Sequence, residues 1–550
     1  MNLTQSWRRR PGSAKTVAIT AVAVALIAGA GVVIAVSRGK IAEPSEALGA
    51  PIFVDETAVA GLEHSYTGDA QFFEGGGVAA FDCTDDGNAE LFFAGGAGRA
   101  ALYRNASAEG SELSFAKIEA PILELEFVTG AYPIDIDGDL VTDLVVLRVG
   151  ENIVFRGLGG CSFERANELW GIEGGSDWTV GFSATWEGEA VFPTLAFGNY
   201  LKLTDLTNET DLCSPNVIIR SEGRHYGSPR TLEPAWCTLS MLFSDWNRSG
   251  IADLRVTNDR QYNRDGEEQL WQMSQGAPDT YTRAEGWKLV RIWGMGIASY
   301  DVTGDGYPEV YLTSQGDNKL QTLSNGPARP TYTDIAIRRG VTAHRPYVGD
   351  NTLPSTAWHA EFQDVNNDGF IDLFVAKGNV DAMAEFASAD PNNLLIGQPD
   401  GTFLEGGSDA GIVHSGRTRG GVLVDLNHDG LLDLVEVNRQ EGVRLWRNVG
   451  LGTAASPTPM GNWIDVSIVQ SDGPNSNAIG ATIEVMLGDY LMTREVTVGG
   501  GHASGQVGRV HFGIGPAETA QVRVVWPGGH PGQWVEAVAG ESVTLLRTSE

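Results

Sequence analysis

At 550 residues the chain is too long for one ordinary domain and long enough to bury a large core. Its formal net charge of −32 argues against nucleic acid and anionic lipid as partners. The 70 glycines favour many turns and short strands over long helices.

The chain begins with a basic cluster, Arg8, Arg9, Arg10 and Lys15, followed by an uncharged apolar run from Thr16 to Val36. Roughly 20 residues span a bilayer core, whereas a cleaved signal peptide has an apolar core of only about 7–15. Residues 1–40 are therefore expected to be a cytoplasmic stub and a transmembrane signal anchor, with the basic side kept in the cytoplasm. Everything after Lys40 is then expected on the periplasmic or extracellular side. Residues 41–50 read as a linker. Gly29, Gly31 and Ala35 mimic part of a dinucleotide fingerprint, but they lie inside the apolar run with no βαβ context.

From residue 51 one pattern recurs, set out most fully in Asp364-Val365-Asn366-Asn367-Asp368-Gly369-Phe370-Ile371-Asp372. Oxygen-bearing side chains occupy its first, third, fifth and ninth positions, and Gly369 allows the sharp turn at the sixth. A hard cation such as Ca2+ takes six to eight oxygens at about 2.3–2.6 Å, and this spacing aims alternate side chains at one point. An EF-hand is excluded, because no acid stands at position twelve and a strand, Leu373-Phe374-Val375-Ala376, follows instead of a helix. The same set appears as Asp82, Thr84, Asp86 and Glu90, and as Asp135, Asp137, Asp139 and Asp143 with Leu140 in the glycine place. It returns as Asp245, Asn247, Ser249 and Asp253, as Asp301, Thr303, Asp305 and Glu309, with Asn366, Asp368 and Asp372 after Asp364, and as Asp425, Asn427, Asp429 and Asp433. The copies start roughly 50–63 residues apart, a kelch-like period, with one gap of about twice that length. Halfway along the gap, Trp186, Gly188, Ala190 and Thr194 occupy the ligand positions, so that copy is expected to keep its fold without a metal.

Each copy lies between two apolar runs, and a second hairpin follows, such as Ala101-Leu102-Tyr103-Arg104-Asn105 with Ser114-Phe115-Ala116-Lys117-Ile118. Four strands per repeat make a propeller blade. The last repeat ends at Arg444-Leu445-Trp446-Arg447-Asn448 without its fourth strand, and Pro51-Ile52-Phe53-Val54-Asp55 reads as that strand, closing the ring and protecting its edges. The expected fold is all-β: a seven-bladed β-propeller over 51–455, then a small β-sandwich over 456–550, behind the transmembrane helix. The Asp-rich loops resemble FG-GAP/VCBS repeats, which build propellers of the integrin α type. Together with Gly75-Gly76-Gly77-Val78-Ala79-Ala80-Phe81-Asp82 and Leu102-Tyr103-Arg104-Asn105, they resemble the cartilage acidic protein family. The resemblance implies Ca2+ in the six copies that keep their acids. Charge count ranks the Asp245 loop as the weakest site, and the Trp186 copy as empty.

Of the four cysteines, none form CxxC. Cys213 and Cys237 flank the insertion Lys202 to Pro234 and are expected to form a disulfide on the face opposite the metal loops. Cys83, inside a metal loop, and Cys161, at a hairpin turn, are expected to be thiols. After Pro457-Thr458-Pro459 the alternation of Ile464, Val466, Ile468, then Ile483, Val485, Leu487, then Val522, Val524, Trp526 suggests a small antiparallel sandwich. Asn462-Trp463, Ile479-Gly480-Ala481, His511-Phe512-Gly513-Ile514-Gly515 and Val525-Trp526-Pro527-Gly528-Gly529 resemble an ASPIC/UnbV module. His502 and His511 read as hydrogen-bonded sheet histidines.

No HExxH, P-loop or GxSxG motif is present, and Gly501-His502-Ala503-Ser504-Gly505 has its serine one place late for a nucleophile elbow. The expected function is a calcium-binding, membrane-anchored scaffold or binding protein for another envelope protein, a membrane complex or a glycan, with no catalytic residues. The alternative is a polysaccharide lyase or hydrolase built on paired carboxylates. Partner contacts are expected on the face away from the metal loops, at Arg224, His225, Tyr226, Tyr262, Arg264, Arg345 and Tyr347.

Overall fold

The computed structural model describes residues 44, 46–203, 212–259, 266–273, 276–342, 345–381, 383–471 and 473–547, together with the short strands Val22–Ala23 and Ile34–Ala35. Those two strands pair antiparallel inside the run expected to cross a membrane, and among the described residues no helix is long and apolar enough to do so. Backbone groups paired strand to strand there are not available for helical i→i−4 bonds. The expected anchor helix, and the location derived from it, are corrected accordingly; the rest of the run lies outside the described residues.

The described chain is all-β and β-propeller-like. Its repeating unit is an antiparallel four-stranded sheet taken in chain order, as in Gly294–Tyr300, Glu309–Ser314, Lys319–Leu323 and Tyr332–Asp334, or Ala357–Gln363, Asp372–Lys377, Asn393–Gly397 and Phe403–Glu405. Earlier units begin at Val78–Phe81, Glu126–Ile134, Thr179–Thr185 and Thr238–Ser244, and a later one at Thr418–Val424. The last unit is completed from the other end of the chain: Phe53–Asp55 pairs antiparallel with Arg444–Asn448. The first strands of successive units pack against one another, and Thr418–Val424 packs back against Val78–Phe81, so the row closes on itself. Apolar residues from the faces of neighbouring sheets fill the space between them. Val422, Val435 and Leu445 meet Val78, Phe92 and Leu102, and Tyr132, Val145 and Val154 meet Phe182, Leu195 and Phe197.

Beyond Pro459 two further sheets form. Asn462–Gln470 lies between Val510–Gly515 and Glu541–Arg547, and Thr482–Leu487 lies between Tyr490–Glu495 and Thr519–Trp526. Their facing side chains, among them Ile464, Val466, Ile483, Val485, Val522 and Val524, make one core. The expected all-antiparallel sandwich is corrected at one pair: Asn462–Gln470 and Glu541–Arg547 run parallel. The chain visits the other sheet between them, and that long crossover permits the parallel pairing.

The segment Val498–Gln506 leaves this C-terminal unit and enters the middle of the ring. Val498 and Gly499 pair with Ala184 and Ser183, Gly499 also with Leu242, and Gly501 bridges Ile297. The His502 amide donates to His359 Nδ1 at 3.1 Å, Ala131 N–H donates to the Ala503 carbonyl at 3.2 Å, and Val78 N–H donates to Ser504 Oγ at 3.1 Å. Gly505 and Gln506 then run parallel to Ala79 and Ala80. The fit requires bare backbone on the wall: a Cβ on Gly77 would meet the Ala503 carbonyl at 1.7 Å, and one on Gly420 would meet Ser504 Oγ at 2.4 Å. His502 is therefore a channel residue, not the sheet histidine expected from the sequence.

Candidate metal centres

Each acidic loop joins the first and second strands of its unit, and its first carboxylate folds the loop. Asp82 Oδ2 accepts the Gly87 amide at 2.7 Å, Asp135 Oδ2 that of Leu140 at 2.8 Å, and Asp245 Oδ2 that of Gly250 at 2.7 Å. Asp301, Asp364 and Asp425 accept from Gly306, Gly369 and Gly430 at 2.9, 2.8 and 2.8 Å. The sixth residue stands at positive φ in these loops, and Leu140 takes the glycine's place at φ 69°. Side chains rarely adopt that conformation. The three amides that Asp135 accepts, from Gly138, Asp139 and Leu140, fix the turn around it.

The ninth-position acid is buried and ties the loop to the sheet. Asp143 accepts the amides of Ile136 and Gly157 at 2.7 and 2.8 Å, Asp372 those of Val365 and Gly397 at 2.9 and 2.7 Å, and Asp433 those of Leu426 and Asn448 at 3.1 and 2.9 Å. Glu309 instead accepts the amide and hydroxyl of Thr303 and the hydroxyl of Thr322. Asp253 likewise takes three donors, the Trp246 indole, the Met273 amide and the Tyr281 hydroxyl at 2.8, 2.9 and 2.9 Å. With Asn247 and Ser249 neutral, its loop offers a cation the least charge.

Burial, reinforced by neighbouring carboxylates, pushes these groups well above the usual range. Asp143 rises to about 8, Glu90, Glu309 and Asp425 to about 7, and Asp301 to about 6. Burial raises Asp368 to about 6, and Asp364, Asp372 and Asp433 also lie well above their ordinary value. Such sites favour either protons or a cation. The donors are oxygen only, which suits a hard cation. Several ligand-position oxygens are buried without a hydrogen-bond partner, namely Glu90 Oε1, Asp137 Oδ1 and Asn427 Oδ1. Asp135, Asp137 and Asp143 bring oxygens within 4.8 Å of one another. This gathering of three carboxylates, with one oxygen left unpartnered, fits a divalent ion at the Asp135 loop. At the Trp186 copy, Thr194 and Arg220 instead bind Glu187, at 2.8 and 2.9 Å.

The C-terminal unit lies across this loop face. Ser476 Oγ donates to Asp135, Glu495 accepts the Asp245 amide at 2.8 Å, and His511 bridges Asp465 and Asn367 at 3.0 and 2.7 Å. His511 does sit in a sheet, but it also joins the two units. The segment at Leu48 covers the Asp364 loop, its amide donating to Asp368 Oδ2 at 2.7 Å. Nothing in the hydropathy of residues 41–50 signalled that contact.

All four cysteines are oxidised. Cys213 is bonded to Cys237, and Cys83 to Cys161. The reading of Cys83 and Cys161 as thiols is corrected: one is in the loop of its unit and the other in the hairpin of the next, and only the packing of neighbouring units brings them together. Of the expected partner contacts, Arg224, His225 and Arg345 are exposed, whereas Tyr226 is buried against Phe192 and the Tyr347 hydroxyl donates to the Asn392 carbonyl. The expected placement is corrected for Arg224, His225 and Tyr226: they lie in the hairpin between Asn216–Ile219 and Arg230–Leu232, at the same end of the sheet as the acidic loops, because successive antiparallel connections alternate between the two ends. Tyr262 and Arg264 lie outside the described residues.

Comparison with protein families matches residues 364–436 to the FG-GAP-like repeat and residues 471–550 to ASPIC and UnbV. The chain carries an FG-GAP-like repeat and a C-terminal ASPIC and UnbV domain. The first match spans the Asp364 and Asp425 loops, and the second contains the segment that enters the ring. No curated protein matches the chain significantly. Among solved structures, BBS1N in complex with ARL6DN is 11% identical with a TM-score of 0.41, covering 74% of this chain and 100% of its own. A lectin from Agrocybe aegerita that recognises non-reducing terminal N-acetylglucosamine is 16% identical with a TM-score of 0.38, covering 68% of this chain and 92% of its own. The extracellular domain of a hybrid two component system from B. thetaiotaomicron is 9% identical with a TM-score of 0.38, covering 90% of this chain and 57% of its own. At these TM-scores none of the three bears on ligand or reaction.

Proposed function

We propose that the chain is a calcium-stabilised binding or scaffold protein: a seven-bladed propeller over 51–455 carrying six calcium loops, closed by a β-sandwich over 456–550. The partner class is a protein or a glycan. The observation that carries this reading is the segment that enters the ring. Gly499 to Gly505 of the same chain run through the middle of the ring, beside a cavity of about 450 Å³ whose lining, with Glu361, Gln363, Arg494 and His511, comes from the ring and the C-terminal unit together. The paired carboxylates that a glycosidase would need are engaged in folding their own loops. With the C-terminal unit lying across the loop face, the opposite face, with Arg345 in the connection between Tyr332–Asp334 and Ala357–Gln363, is the one left for a partner. In each calcium loop the first, third, fifth and ninth side chains would hold the ion. The ion would supply charge that lets the buried carboxylates stay ionised together. Two disulfides suit an oxidising compartment.

The test is co-purification after gentle extraction, comparing the natural chain with the variant Arg345→Glu. A discrete partner that is lost in the variant supports the reading. Turnover of a polysaccharide by the purified chain overturns it in favour of an enzyme.

A further inference from the structure

One register position in the third strand faces the acidic loop of its own unit. The residue after the ninth-position acid pairs with a third-strand residue, and the next residue along reaches back toward the loop. Leu91 pairs with Tyr103 and Arg104 follows; Leu144 pairs with Phe155 and Arg156 follows. Leu195 pairs with Ile219 and Arg220 follows; Leu434 pairs with Trp446 and Arg447 follows. The other units place Gln272, Thr322 and Ile396 there, after Trp271, Gln321 and Leu395.

All four arginines contact an acid of their own loop. Arg156 is the most committed, with Nε 2.7 Å from Asp137 and a terminal nitrogen 2.8 Å from Asp139. Arg104 and Arg447 stand 3.5 Å from Asp86 and 3.7 Å from Asp429. In the one unit whose ligand positions hold no acids, Arg220 sits 2.9 Å from Glu187, which also accepts from Thr194. There the guanidinium pairs with the acid at the loop's second position.

We propose that this register position sets how strongly each loop holds a divalent cation. An arginine supplies positive charge from within the fold and competes with the ion. A neutral residue leaves the loop dependent on the ion. The inference rests on the reading of the loops as calcium sites. It also moves the Asp135 loop down from the first place that charge count alone would give it. The Asp135 loop has four carboxylates, but a fixed cation already engages two of them. The Asp364 loop has three buried carboxylates and faces Ile396, so it depends most on an added ion.

The experiment is calcium titration of the chelator-treated full chain by calorimetry. The variants are Arg156→Gln, Arg156→Lys and Arg104→Gln, with Asp137→Ala marking the step that belongs to the Asp135 loop. Arg156→Gln is expected to tighten that step roughly tenfold, because a like charge leaves the ion's immediate surroundings. Arg156→Lys, which keeps the charge and preserves most of the packing, should stay near the natural chain. Arg104→Gln should change its loop less, since Arg104 is farther away and more exposed. Thermal melts in saturating calcium check that each variant folds. Calcium bound by the natural chain, but unchanged or weakened by Arg156→Gln, overturns this inference alone: the arginine would then orient the carboxylates for the ion. No calcium bound by the natural chain overturns the loop reading and this inference together.

Discussion

A carboxylate buried beside other carboxylates and a histidine buried beside an arginine give opposite pH dependences. Glu90, Glu309 and Asp425 have folded pKa values of about 7, above the value of an exposed acid. A raised folded pKa contributes stability that is complete below the unfolded value and is lost as pH rises through the folded one. In chelator, the melting temperature should therefore fall between about pH 4.5 and pH 8, and calcium should remove most of that fall. Melts at pH 5 and pH 8, with and without chelator, measure it; a chelated protein more stable at pH 8 than at pH 5 would contradict it. His502 behaves in the other sense. Its Nε2 accepts the Gly75 amide at 3.1 Å, so Nδ1 carries the proton toward the Met295 carbonyl, and burial lowers its pKa to about 3. A depressed folded pKa gives stability that is present above the unfolded value near 6.5 and is lost as pH falls toward 3. Acid should thus loosen the channel segment. His502→Gln, which does not titrate there, should flatten the acid limb of protease cleavage between Val498 and Gln506. At the wall, Gly77→Ala places a methyl 1.7 Å from the Ala503 carbonyl. It should cost at least about 1–3 kcal/mol, as overpacking does.

Among the elements, the loops and the disulfides carry the clearest expectations. Asp368→Ala removes one of three buried carboxylates in the Asp364 loop and also the acceptor of the Leu48 amide. It should lose one calcium, whereas Asp253→Ala should lose less, because Asp253 already holds three protein donors. Asp253→Ala should instead destabilise the fold directly, by orphaning the Trp246 indole and the Tyr281 hydroxyl. Calcium content and melts on both variants separate the two effects, and equal calcium loss would contradict the ranking. Cys83–Cys161 spans 78 residues and Cys213–Cys237 spans 24. In the chain-entropy model these closures contribute about 4 and about 3 kcal/mol. All four cysteines should resist alkylation until reduced. Cys161→Ser should leave the Asp82 loop less ordered and bind calcium more weakly there, since the bond anchors that loop to the neighbouring unit.

For the whole molecule, the ring and the C-terminal unit are one interlocked object. The interlock has three parts: the strand Phe53–Asp55 completing the last sheet, the segment Val498–Gln506 inside the ring, and the loop-face contacts at Asp135, Asp245 and Asn367. Because the C-terminal unit touches the acidic loops, removing their ions should loosen that unit as well as the ring. Chelation is expected to lower the melting temperature and to raise hydrogen exchange in Val498–Gln506 along with the loops. An unchanged melt after chelation, with no calcium by elemental analysis, would make the loops structural turns.

The oxygen spacing, the glycine at the sixth position and the flanking apolar runs are local in sequence, because a nine-residue turn and the two strands it joins are neighbours along the chain. They were enough to locate every acidic loop, the strand pairs around it and the strand that completes the last sheet, and the family match at 364–436 and 471–550 agrees with them. Other features depend on residues far apart in the chain that only the closed ring brings together. Cys83 meets Cys161 across a boundary between units, and Leu48 meets Asp368 across 320 residues. In Gly501-His502-Ala503 the histidine reads as a sheet histidine until the ring closes around it and the wall glycines prove to be space for its backbone. The apolar run at 16–36 shows the converse limit: hydropathy measures the cost of exposing a segment to water, and the described pairing of Val22–Ala23 with Ile34–Ala35 is strand, not helix. Local chemistry thus determined the loops and their strands, while the contents of the ring's centre and the pairing of its cysteines were decided by tertiary contact, because those partners share no sequence neighbourhood.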